Sequence, residues 1–147
     1  MGKLLGIATR IKSKSPMDLH ASALVSFEKG VLNDFRGRKL GGRRQVTVLS
    51  KEAWNIVCEE IGSDIAWTAR RANFFIEGIE LKETTGRILK IGSLELEVTG
   101  ELVPCNRMDE QFDGLTKILE KDWKGGVTCK VKKEGNANLN DEVVLIS

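Results

Sequence analysis

Tyrosine is absent from these 147 residues, histidine occurs once, and the three cysteines form no CxxC pair. Each shortage removes a class of function. Without tyrosine, and with aromatic residues at only 5%, the chain has few of the stacking platforms on which RNA-binding barrels lay bases. One histidine and three scattered cysteines make neither a zinc site nor a disulfide framework, nor an iron–sulfur ligand set. Such cysteine usage fits a reducing, cytoplasmic compartment. No GxGxxG dinucleotide fingerprint is present. No apolar run approaches the roughly 20 residues that span a bilayer, so no membrane association is expected. A net charge of +2 is too small to imply nucleic acid by itself. Internal repeats and low-complexity linkers are absent as well.

What is present is a chain of single-domain length, 1–147, able to bury a real core. Short apolar-alternating segments bounded by Gly, Pro, Asn or Ser predict strands at 3–11, 21–28, 44–49, 72–77, 88–91, 94–102, 126–133 and 143–146. The apolar N-terminal piece from Lys3 is short, lacks a cleavage-like site, and reads as the first of these strands. Gly92-Ser93 predicts a tight hairpin turn. A helix is expected after Ser50, a good N-cap with Glu52 in the first turn, and it should end at Ile61-Gly62. A second is expected over 115–121, with Leu115, Ile118 and Leu119 on one face. Many short strands with few helices predict a mainly β fold, a closed or nearly closed barrel without exposed edges.

Cys105 is the most informative residue. It follows the alternating run Leu94, Leu96, Val98 and the strand-ending Pro104, and Arg107 lies two residues on. A cation beside a thiol favours the thiolate, which acts as a nucleophile or as a soft-metal ligand. The plainer alternative is a small buried hydrophobe, and position alone leaves both open. Cys58 shares a helical face with Trp54, Val57 and Ile61, while Cys129 alternates with Val127 and Val131; both read as core. His20 could pair with a cysteine nucleophile, but one histidine at unknown distance is slender support.

Three polar segments accompany the cysteine. Residues Arg36 to Arg44 concentrate five positive charges and three glycines. Backbone amides of such a loop can form an anion-binding concavity, and guanidinium groups add bidentate phosphate contacts. Taken alone, the segment favours a solvated basic loop. The second, Arg70-Arg71-Ala72-Asn73, enters a strand with a polar set suited to lining a pocket. In the third, Asp122-Trp123-Lys124-Gly125-Gly126, Trp123 is either a stacking platform or, more ordinarily, a core or rim residue.

Together these segments resemble the MOSC domain, named for the C-terminal region of molybdenum-cofactor sulfurases. The resemblance runs over Gly41–Ser50, Ala69–Gly78, Gly86–Gly92, Leu96–Met108 and Asp122–Val127, in the family's order. It is nearest to the small, single-domain bacterial members. It implies a pyruvate-kinase-barrel-like β-barrel with two or three short helices and a molybdenum–pterin cofactor, molybdopterin, with Cys105 as metal ligand and catalytic centre. It further implies that Arg71 and Asn73 line the cofactor pocket and that Arg107 is the arginine following the cysteine. Assigning Arg43 and Arg44 to the cofactor phosphate is a physical inference, not part of the resemblance. Many members carry Gly-Asp followed by His and Gly after the second strand. Here Asn33-Asp34-Phe35-Arg36-Gly37 keeps the acid and last glycine but neither the first glycine nor the histidine. Without the additional N-terminal domain of larger members, the expectation is an open site or one that binds cofactor poorly.

The implied function is reduction of small N-hydroxylated compounds, with electrons from an external donor protein. A second reading is a non-catalytic sulfur or cofactor carrier bearing a Cys105 persulfide. A third, an RNA-binding barrel using the arginines, is disfavoured by the aromatic-poor composition, and no nucleic-acid partner is expected.

Overall fold

The computed structural model describes residues 1–10, 15–32, 34, 42–104 and 108–146. Along the chain run β1 (Gly2–Thr9), β2 (Asp18–Leu19), β3 (Ser22–Ser26), β4 (Gly30–Val31), β5 (Val46–Ser50) and α1 (Lys51–Ile61). A 3-10 turn (Trp67–Arg70) leads into β6 (Phe74–Glu77), β7 (Ile88–Ile91) and β8 (Leu94–Glu101). Then come α2 (Met108–Gln111), α3 (Leu115–Leu119), β9 (Val127–Lys133), β10 (Gly135–Asn138) and β11 (Glu142–Ile146).

Seven strands close into a barrel in the order β1-β6-β5-β9-β8-β7-β11, with β11 returning to β1 through Gly2↔Val143 and Lys3↔Glu142. Within this ring only β5 and β6 pair in parallel, as expected of strands joined by the α1 crossover. The short β2 lies beside the end of β1, and β10, β3 and β4 form a separate small sheet. Period-two alternation sends one face of each strand inward: Val46, Val48, Phe74, Ile76, Leu89, Leu96, Val98, Val127 and Cys129 fill the barrel. The expected mainly β barrel with a few short helices is the fold observed.

α1 starts and stops where its caps dictate. The Ser50 hydroxyl accepts from the Ala53 N–H at 3.0 Å, and Gly62 turns left-handed at φ 75°, its N–H returning to Cys58 and Glu59 carbonyls. Trp54 and Val57 pack a second cluster, with Leu49, Ala72, Met108, Leu115 and Leu119, against the outside of the barrel wall. Trp67 stacks on Phe75 at its edge, ring centroids 5.0 Å apart. Cys129 is fully buried, matching its core assignment, whereas Cys58 is only half-buried against the outer cluster.

Candidate functional site

On β5, Leu49 and Thr47 share the outer face, two residues apart, and their surroundings differ sharply. Leu49 lies in the apolar cluster beneath the helices. Thr47 belongs to a buried polar row that crosses neighbouring strands. Its register partner on β9 is Thr128, whose hydroxyl lies 2.7 Å from that of Thr99 on β8. Thr99 reaches this row because the β8–β9 register shifts between Val98 and Gly100, the signature of a bulge. On the other side Thr47 meets Asn73, just before β6. Asn73, Thr47, Thr99 and Thr128 are all at most 7% exposed.

Asn73 stitches three strands together. Its Oδ1 accepts from the Thr47 N–H (3.0 Å) and hydroxyl (3.2 Å), and its Nδ2 donates to the Ala8 carbonyl at 3.1 Å. Its backbone N–H donates to Thr47, and its carbonyl accepts from the Ala8 N–H at 2.8 Å. A carboxamide offers two N–H donors and one doubly accepting oxygen, so protein contacts use all but one hydrogen.

Of the described nominated arginines, Arg43 touches this row, and Arg71 stands two residues before Asn73. Arg43 is exposed, its Nη2 donating to the Thr99 carbonyl while the Thr99 hydroxyl donates to the Arg43 carbonyl. Arg44 is exposed beside it. Arg71 is half-buried, adopts φ 67°, and donates through Nη1 to the Ser15 carbonyl. Arg43 and Asn73 thus meet the row directly, while Arg71 precedes Asn73 by two residues and reaches Ser15. Cys105 and Arg107 lie outside the described residues, as does the basic stretch 35–41. The row does lead along β8 towards the cysteine in sequence, from Thr99 through Leu102 to the buried Pro104.

Arg70 carries a role that the sequence did not disclose. It is 5% exposed; its Nε donates to the Gly125 carbonyl at 2.9 Å and its Nη2 to the Leu102 carbonyl at 2.6 Å. Its Nη1 lies 3.6 Å from the Met108 sulfur. It therefore fastens the chain on both sides of residues 103–107. The close approach explains Gly125, where a Cβ would lie 2.9 Å from both the Arg70 guanidinium and the Leu102 carbonyl oxygen. The threonine row was also missed, although its signal was present: Thr47 and Thr128 each stand between two inward apolar residues and must face outward.

Other groups sit nearby or apart. His20 is half-buried, its Nε2 2.7 Å from the Thr9 hydroxyl at the end of β1, and the next residue's N–H, from Arg10, donates to the buried Asp34 at 2.8 Å. Trp123 is half-buried against the barrel core, the ordinary reading, and also lines a separate cleft of about 650 Å³ along α1. That cleft carries the Lys124–Glu60 ion pair at 2.7 Å, and among the described residues Arg43, Arg44, Arg71 and Asn73 do not line it. Burial holds the Cys129 thiol far above its ordinary pKa, which keeps it protonated and unreactive. Among the described residues no three His, Cys, Asp or Glu side chains cluster to hold a metal ion, and no helix is long and apolar enough to cross a membrane.

Fold and site together define a small β-barrel with a buried polar row on its outer wall and arginines at its edge. The sequence profile of the MOSC domain matches residues 35–144, and the chain belongs to that family, which is associated with molybdenum-cofactor binding. Among solved structures, YuaD of Bacillus subtilis is similar at a TM-score of 0.84 and 18% identity, covering 100% of this chain and 97% of that one. YiiM of Geobacillus stearothermophilus gives 0.78 at 17% identity, covering 100% and 76%, and YiiM of Escherichia coli 0.74 at 16%, covering 99% and 70%. At these identities the likeness is one of fold. No curated protein matches the chain.

Proposed function

We propose that this MOSC domain binds a molybdenum–pterin cofactor against the outer wall of its barrel and reduces small N-hydroxylated compounds. The observation that carries the reading is proximity: Arg43 bonds to the buried row through Thr99, Asn73 through Thr47, Arg71 stands two residues before Asn73, and the row leads in sequence towards Cys105. The donor set fits such a group. Guanidinium groups match phosphate oxygens bidentately. With no described carboxylate, histidine or thiol cluster able to hold a metal alone, a metal here suits a carrier ligand that brings its own donors, with Cys105 adding one thiolate.

When bound, the cofactor supplies the two-electron redox chemistry. The chain's own part is to bind and orient it. Arg43, Arg44, Arg71 and Arg107 neutralise the anionic phosphate, and the Cys105 thiolate is the soft metal ligand. The overall conversion takes an N–OH group, two electrons and two protons to N–H and water. The sequence contains no dinucleotide fingerprint or iron–sulfur set, so an external, cytoplasmic donor protein feeds the site.

Metal and pterin analysis of protein made in a cofactor-producing host tests the reading. Wild type is expected to retain molybdenum and Cys105→Ser to lose it, because a hydroxyl is a poor soft-metal ligand. Loaded protein should reduce an amidoxime or N-hydroxylated purine with an artificial low-potential donor, but not with NADH alone. Equal molybdenum in wild type and Cys105→Ser would refute the ligand assignment. Sulfur transfer to an acceptor, with no reduction by any donor, would make the domain a persulfide carrier instead.

A further inference from the structure

Arg71 holds a left-handed backbone, φ 67°, in a position where the sequence supplies no glycine. A side chain in this region is sterically disfavoured and persists only where neighbours over-determine it. Those neighbours are identifiable. On one side the Arg71 N–H is fixed to the Thr68 carbonyl, closing the 3-10 turn. On the other, two residues on, Asn73 is locked by its side chain and backbone to Thr47 and Ala8. Ala72, between them, is fully buried. The chain thus leaves Arg71 half-buried, while Asn73 is 3% exposed with all but one of its side-chain hydrogen-bonding positions taken by the protein.

We propose that Asn73 is a positioning residue: it holds Arg71 in its left-handed turn, and Arg71 rather than Asn73 meets the anionic ligand. This rests on the proposed cofactor reading for the ligand, but the backbone link between Asn73 and Arg71 stands without it. The Thr47 hydroxyl is part of the same device, since it donates to Asn73 Oδ1 and accepts from the Asn73 N–H.

Two measurements test the proposal. In cofactor-free protein, the intraresidue HN–Hα NOE of Arg71 should be strong in wild type, the mark of its positive φ. It should weaken in Asn73→Ala and in Thr47→Val and recover in Thr47→Ser, with the β7–β8 cross-strand NOEs unchanged to show that the fold is intact. Thr47→Val preserves side-chain shape and provides the test should Asn73→Ala fail to fold. An undiminished NOE in the folded variants overturns the proposal. The second measurement is a cycle on molybdenum and pterin retained after dialysis. Asn73→Ala should lower retention several-fold beside Arg71 and less than twofold in an Arg71→Ala background. Equal losses in both backgrounds would put Asn73 itself on the ligand and overturn the proposal. If wild type retains no cofactor at all, the cofactor reading fails, and the NOE alone decides the positioning role.

Discussion

Replacing Arg70 by methionine should destabilise the domain more than any surface charge change, because the side chain's work is internal. Methionine keeps much of the stem's volume, so the loss isolates the guanidinium donors. Two carbonyl oxygens, of Leu102 and Gly125, would lose partners now at 2.6 and 2.9 Å. Leaving a buried acceptor unsatisfied costs roughly 1–3 kcal/mol each, partly offset because a charge no longer has to be buried, for a net loss of about 2–4 kcal/mol. Midway in that range, the fall in Tm is roughly 6–12 °C for a domain of this size. Urea unfolding should show a lower midpoint at unchanged m, the pattern of altered stability without altered denatured-state compactness. Arg70→Lys should fall between, since an ammonium keeps charge but not the rigid fork. A methionine variant within about 0.5 kcal/mol of wild type would show that the clamp contributes nothing net, and the reasoning would fail.

Three further outcomes are expected. Gly126 has φ 97°, and a Cβ there would lie 2.3 Å from the Val48 carbonyl oxygen; Gly126→Ala should therefore cost roughly 2–5 kcal/mol in chemical unfolding, combining backbone strain and overpacking. Burial raises the Cys129 pKa from 9.0, so its stabilisation is full below the unfolded thiol's pKa and declines as pH rises through it. Stability should fall above about pH 9 by up to roughly 1.4 kcal/mol per pH unit, and pH-dependent unfolding of Cys129→Ala should lack this component. Glu60→Gln should cost roughly 1–2 kcal/mol in the same assay, because its carboxylate is 45% exposed while the Lys124 side chain it neutralises is only 10% exposed.

The strand pattern was legible wherever apolar residues alternate. β7 falls at Ile88–Ile91 as read, β8 starts at Leu94, and α1 lies between Ser50 and Gly62 because both caps are chemical signals. β10 was not legible. Its sequence Gly-Asn-Ala-Asn offers one inward apolar residue, Ala137, and the strand exists because β3 pairs with it from Ser22 to Val25. The 3-10 turn and α2, four residues each, are too short to show a period. Expecting β6 from Ala72 overshot, because the chain is still leaving a left-handed turn at Arg71. For the site, residue types pointed to the arginines and Asn73, but not to how their work is divided. Charge patterning sends arginines outward, whereas Arg70 is buried and Arg71 half-buried, and only the packed structure distinguishes these neighbours.

The proposed division agrees with where the barrel leaves room. Its interior is filled by Phe74, Leu4, Leu89 and Leu96, each fully buried, so a ligand has to lie against the outer wall or an end. On that wall the helices already cover Leu49 and Ala72. Two residues from Leu49 along β5, the same face turns polar at Thr47. A buried threonine and asparagine row is costly unless every group is satisfied, and no described buried side-chain polar atom lacks a partner. Each polar side chain of the row therefore has a protein partner, with one Asn73 hydrogen left over. In the proposed reading, recognition of an anion therefore falls to longer side chains at its margin, the exposed Arg43 and Arg44 and the half-buried Arg71.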